Sequence, residues 1–197
     1  FYTRHNPRTK ENSNTDERLH KIADMAIFVS LKSSELLDEK SHLIPAFIPS
    51  LSVSSLSPVL KNELSKYKNV ICAISSHPEK KSSLINGEDL YGFDLLLQAY
   101  ENCETRKDHL LLLIDPLGTM KSIYEEKLGK INAGGKPILY LTETIDFSSL
   151  VKYIHIYVRP TRSDGDSIAI REALEAGVKV LASDCCERPA GVKLFAG

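Results

Sequence analysis

The feature that most constrains this chain is a regular exchange of short apolar runs with amphipathic stretches, from about residue 70 to the end. The apolar runs are Val70–Ser75, His109–Asp115, Pro137–Leu141, Tyr153–Val158 and Val178–Ser183, with Val192–Phe195 a further short one. Their length suits strands, and they lack strict polar alternation, which marks strands covered on both faces. Between them, Asp89–Asn102 carries Leu90, Phe93, Leu96, Leu97 and Tyr100 at helical spacing, and Leu117–Ile131 carries Met120, Ile123, Tyr124 and Leu128. Gly134-Gly135 ends the second of these stretches. Asp146–Lys152 reads as a short helix capped by Thr144 or Asp146. Ser167–Ala176 reads as a helix closed by Gly177.

Such an order of elements predicts α/β architecture: a doubly wound, Rossmann-like parallel sheet with helices on both faces, spanning residues 45–197. Ahead of it, Arg18–Asp24 and Leu31–Lys40 are helical in pattern, and Ala26–Ser30 is strand-like. Pro45 and Pro49 then forbid a helix, and Leu43–Pro49 with Ser50–Ser57 reads as an extended connector. Residues 1–44 are therefore expected to be an appendage, or a remnant of another domain plus its linker. The chain starts with Phe1 rather than Met, which suggests a fragment or processed form.

Composition narrows the function classes. With 25 Lys+Arg against 26 Asp+Glu the net charge is −1, without the basic excess that nucleic acid demands. No apolar run approaches the roughly 20 residues of a membrane span, and the start lacks a signal-peptide pattern. A cytoplasmic protein is expected, with membrane contact at most peripheral, at the inner face. The four cysteines form no Cys-x-x-Cys clip, so no metal is expected. Cys72 reads as core. The adjacent Cys185 and Cys186 fit either a redox-active pair or an incidental one.

In a doubly wound sheet ligands sit beyond the carboxyl ends of the strands. That places interest in the loops 75–88, 115–117, 159–167 and 183–191. No phosphate-cradling Gly-x-x-x-x-Gly-Lys, no Gly-x-Gly-x-x-Gly after the first strand and no Gly-x-Ser-x-Gly elbow occurs, which argues against P-loop, ordinary dinucleotide and hydrolase chemistry. The informative loop is Arg159-Pro160-Thr161-Arg162-Ser163-Asp164-Gly165-Asp166-Ser167, leading into the helix that starts near Ile168. A helix N-terminus with free N–H groups suits a phosphate. The plainer alternative has Asp164 or Asp166 capping the helix and Glu172 facing solvent. Glu187-Arg188-Pro189 reads either as a sugar contact or as a surface ion pair and turn. His77 and His109 read as loop and strand-edge residues.

Asp164 and Glu172 lie eight apart. With Gly165, Ala173, Gly177 and the strand Val180–Ser183 they resemble the acidic-x7-acidic motif of retaining glycosyltransferases of the GT-B fold, family 4 in particular. The likeness is most specific over Tyr153–Phe195, and extends more weakly to Ile44–Pro49 and Tyr91–Leu96. The resemblance implies a donor-binding domain in which Asp164 and Glu172 are the catalytic pair. Asp164 would approach the donor sugar and Glu172 would bind the ribose hydroxyls. Arg159, Thr161, Arg162, Gly165, Asp166, Ser167 and Ile168 would contact the donor. It implies a nucleotide-sugar donor, a saccharide or lipid-linked acceptor, a separate acceptor-binding domain, a role in polysaccharide or glycoconjugate synthesis, and no metal or other cofactor. Where the family has Gly-Arg and Lys-Gly holding the diphosphate, this chain has Ser75-Ser76 and Tyr91-Gly92. Lys80, Lys81, Arg159 and Arg162 are the cations left to stand in. A non-catalytic nucleotide- or partner-binding module, and a nucleotide-sugar epimerase of the same fold, are the alternative readings.

Overall fold

Strand β7, His109–Ile114, shows why the sheet is buried on both sides. Leu110, Leu112 and Ile114 point into one apolar cluster, Leu111 and Leu113 into another, and all five are at most 2% exposed. An unbroken apolar run is what period-2 geometry requires when neither face meets water. The computed structural model describes residues 2–4, 13–28, 38–44, 55–75, 84–85, 88–104 and 108–196.

The main sheet contains six parallel strands. These are β4 (Asn69–Ile74), β7, β8 (Ile138–Leu141), β9 (Ile156–Arg159), β10 (Lys179–Ser183) and β11 (Lys193–Phe195), in the spatial order β11-β10-β9-β4-β7-β8. From β4 the chain steps outward through β7 to β8, then returns past its origin to place β9 on β4's other side. Helices α3 (Phe93–Asn102) and α4 (Lys121–Ala133) cover one face through Phe93, Leu97, Tyr124, Leu128 and Ile131. On the other face lie α2 (Pro58–Leu64), α5 (Phe147–Leu150) and α6 (Ile168–Glu175), through Leu60, Leu64, Leu150, Ile170 and Ala173. The expected doubly wound α/β arrangement is thus the observed one.

The boundaries moved where side chains, not periodicity, decide them. Helix α3 starts at Phe93 and not Asp89, because the Asp89 carboxylate accepts the amides of Tyr91 and Phe93, both at 2.8 Å. Gly92 precedes the helix at φ 68°, and a Cβ there would meet the Pro160 carbonyl oxygen at 1.9 Å. Glu88–Asp89 pairs antiparallel with Leu84–Ile85 as β6 and β5, so part of the expected loop is a small ribbon. Helix α4 starts at Lys121 because the buried Asp115 carboxylate accepts the Met120 amide at 2.9 Å and closes the preceding turn. A 3-10 turn, Val151–Tyr153, takes the end of the expected short helix and the first residue of the expected strand, so β9 starts at Ile156.

The amino-terminal block holds more regular structure than its sequence suggests. Strands β1 (Tyr2–Arg4), β2 (Ala26–Phe28) and β3 (Ser41–Leu43) form a three-stranded parallel sheet, with helix α1 (Ser13–Ile22) between the first two. Two of these strands escape a hydropathy reading because they are three residues long and largely polar. Leu43, read as connector, ends β3. The expected boundary at residue 45 and the helical pattern at 31–37 lie outside the described residues.

Candidate functional site

Strand order determines where a ligand can sit. Successive crossovers leave β4 toward β7 on one side, while β9 flanks it on the other, so the switch point of the winding lies between β4 and β9. A cavity of about 440 Å³ opens there. The ends of β4 and β7 (Ile74, Ser75, Ile114), the end of β9 (Tyr157, Arg159), the loop residues Asp164 and Asp166, and Ser167, Ile168 and Glu172 at the start of α6 line it. Thr144, Ile145 and Phe147 close it opposite α6. Its size is that of a small-ligand site.

The structure thus brings Asp164, Glu172, Arg159, Asp166, Ser167 and Ile168 to one cavity. Asp164 is held in a clamp. Arg159 grips it bidentately, Nε at 3.1 Å and Nη2 at 3.2 Å, while its Nη1 donates to the Ile74 carbonyl at 3.3 Å and its guanidinium lies 5.4 Å from the centre of the Tyr91 ring. Arg188 donates to the same carboxylate at 2.6 Å. The Arg188 side chain is 2% exposed, and its other donors go to Ser183 O at 3.1 Å and Thr161 Oγ1 at 3.2 Å. Burial would raise Asp164, but the Arg159 and Arg188 charges outweigh it and hold its carboxyl below the usual range.

Its neighbours divide between cavity and scaffold. Asp166 pairs with Arg171 at 2.8 Å one turn along α6, so it does not cap the helix; Ser167 occupies the cap position. Glu172 is half-buried on the cavity wall, and burial, then the charge of Asp146, raises its carboxyl. Thr161 is buried, with its carbonyl accepting from Ser183 Oγ at 2.5 Å. Gly165 donates its amide to Asp164 at 3.1 Å. Arg162 is turned away from the cavity. It grips Asp94 bidentately at 2.9 and 2.8 Å, approaches Glu88 at 3.3 Å, and donates to the Asp89 carbonyl. Lys80, Lys81 and His77 lie outside the described residues. His109 sits at a strand start between Asp108 and Asn69.

Arg188 was the residue the sequence under-read. Its side chain is no surface pair: it makes a buried tie from the loop after β10 to the loop after β9. The signal available was its place in one of the four loops at the carboxyl ends of the strands.

Arginines 159, 188 and 171 thus balance Asp164 and Asp166, and the one cavity carboxylate without an arginine partner among those described is Glu172. A wall so neutralised suits a hydroxyl-rich ligand more than a bare cluster of phosphates. Among the described residues, no group of three or more His, Cys, Asp or Glu is arranged to hold a metal ion. None of their helices is long and apolar enough to cross a membrane.

No known family profile matches the chain, and no curated protein does. Solved structures do. A trehalose-6-phosphate synthase, OtsA, superposes with a TM-score of 0.65 at 15% identity, over 93% of this chain and 52% of that one. Anabaena Alr3699/HepE in complex with UDP-glucose superposes with a TM-score of 0.67 at 16% identity, over 99% of this chain and 57% of that one. The fold is GT-B. A UDP-forming trehalose-phosphate synthase from Burkholderia xenovorans matches as well, TM-score 0.65 at 15% identity, over 93% of this chain and 53% of its own. The chain spans about half the length of these GT-B structures.

Proposed function

We propose that this chain is the donor-binding part of a glycosyltransferase, taking a sugar from a nucleoside diphosphate-sugar to a saccharide or lipid-linked acceptor. The observation that carries this reading is the cavity at the switch point, with Glu172 and the start of α6 on one wall and the clamped Asp164 loop at its mouth. The fold shared with a protein solved with UDP-glucose supports it. Glu172 is positioned to accept from vicinal hydroxyls, as a ribose presents. The amide end of α6 would meet charge developing on the leaving diphosphate, while Arg159 would act through the Asp164 it holds. We assign transfer with retention, without a metal, to a protein working at the cytoplasmic face of a membrane in polysaccharide or glycoconjugate synthesis. The acceptor would be held by a separate domain, of which residues 1–44 are part.

Isothermal titration of the 197-residue chain with UDP, GDP, ADP and their sugar conjugates tests the reading. Micromolar to millimolar binding of one diphosphonucleoside, lost in Glu172→Gln, is expected; no binding by any of them would end it. One observation favours the non-catalytic alternative: both oxygens of the Asp164 carboxylate are taken up by arginines. A chain that binds the nucleotide, yet whose complete protein neither transfers nor epimerises the sugar, would establish that alternative.

A further inference from the structure

Among the described residues, two buried side-chain polar atoms have no hydrogen-bond partner: His20 Nδ1, near the end of α1, and the hydroxyl oxygen of Tyr157. Native interiors pair nearly all such atoms, because a hydroxyl stripped of water and left unbonded destabilises the fold. Tyr157 is 0% exposed, on β9 opposite Cys72 of β4, at the pair of strands where the winding switches. Its ring packs on Phe147 of α5, centroids 5.1 Å apart, and both residues line the cavity. The charges of Arg159 and Asp164 act on the hydroxyl, so that end of the ring lies toward the clamp. Yet the hydrogen bonds that Arg159 makes go to Asp164 and the Ile74 carbonyl, and none reaches Tyr157 Oη. The surrounding protein leaves this hydroxyl unbonded, and the void it borders is where a partner can arrive.

We propose that Tyr157 reads the donor's sugar: after a small turn of its ring into the void, its hydroxyl donates to a sugar oxygen and gains on binding the partner it lacks in the free protein. The assignment rests on the nucleotide-sugar reading of the same cavity. Burial pushes the phenol up to about 12, against the opposing charge of Arg159, so it keeps its proton and can donate it. A guanidinium beside a phenol draws the oxygen lone pairs and turns the O–H away from itself. The donor carries two kinds of acceptor, sugar oxygens and phosphate oxygens. At this end of the cavity the guanidiniums of Arg159 and Arg188 give their donors to Asp164, Ile74, Ser183 and Thr161 rather than to the void, which suits a neutral sugar oxygen better than a phosphate. Removing the hydroxyl then has unlike effects on the two states. Tyr157→Phe keeps the ring on Phe147 and relieves the free protein of an unbonded polar atom, while the complex loses a hydrogen bond.

The test is isothermal titration of the 197-residue chain and of Tyr157→Phe with UDP, UDP-glucose, UDP-galactose, UDP-N-acetylglucosamine, GDP and GDP-mannose, together with urea unfolding of both proteins free of ligand. The free variant should unfold at a urea midpoint equal to or above that of the parent. A lower midpoint overturns the proposal, because it shows the hydroxyl bonded within the fold. The bare nucleotide should bind both proteins alike, within about twofold, while its best sugar conjugate should bind the variant at least about fivefold more weakly. Equal weakening of nucleotide and conjugate puts the hydroxyl on the diphosphate and overturns the sugar assignment. No weakening of either overturns the contact itself and leaves the nucleotide-sugar reading standing. A parent chain that binds none of these ligands overturns that reading and this assignment together.

Discussion

At the scale of single residues, the cavity separates groups that meet a ligand from groups that hold the wall. On the proposed reading Glu172 is of the first kind, and a hydrogen bond to a charged group contributes about 1.5–3 kcal/mol. Glu172→Gln should therefore weaken UDP binding about tenfold or more by calorimetry, with the melting temperature little changed; unchanged affinity removes the assignment. Arg188 is of the second kind. Arg188→Ala leaves Asp164 short of one buried cation and Thr161 and Ser183 short of a donor, a loss of about 3–5 kcal/mol. A shift in the urea midpoint worth under about 1 kcal/mol would show that the clamp is slack. Gly92 is a third case. An alanine there must adopt φ 68° and displace the Pro160 carbonyl, which lies 1.9 Å from where its Cβ would be. Gly92→Ala should cost at least about 2 kcal/mol, or about 4–8 °C in melting temperature for a domain of this size.

At the scale of elements, the loop after β9 is pinned from two sides. Arg162 ties it to the start of α3 through Asp94, and Arg188 ties it to the loop after β10. Because Asp164 titrates below its unfolded value, its contribution is complete above about pH 4 and is lost as pH falls through the lower folded value. Urea unfolding followed from pH 6 to 2 should show an acid limb that is shallower in Asp164→Asn; equal limbs would mean the pairing does not contribute. The elements themselves were largely legible, since β7, α3, α6 and β10 announce themselves by continuous apolar runs or by helical spacing. Their starts were not. Asp89, Asp115 and Gly92 set them through side-chain capping and a left-handed backbone, neither of which changes hydropathy. The place of the cavity was legible in part, because loop 159–167 follows the carboxyl end of a strand, whereas Glu172 stood out only through its spacing from Asp164. It was illegible in wiring: which arginine turns inward depends on contacts such as Arg162 to Asp94, 68 residues away. Strands β1 and β3 were missed because a three-residue polar segment carries no period to detect.

At the scale of the whole molecule, a transfer reaction needs donor and acceptor held in register, a large part of the rate gain. The described residues form one six-stranded sheet, a three-stranded one and a two-stranded ribbon, and the chain spans about half of the GT-B structures it matches. The isolated chain is therefore expected to bind donor and to turn over no sugar onto an added acceptor; robust turnover, followed by mass spectrometry of the product, would refute the division of labour. The winding order also bears on how freely the lining can vary. Because the crossovers from β4 and β9 depart in opposite directions, the hollow at their carboxyl ends exists before any lining residue is chosen. Chains alike at only 15–16% identity share this fold, so the backbone keeps the hollow open whatever side chains stand around it. A wall built on Arg159 and Arg188 is then one filling of a space that the winding itself provides.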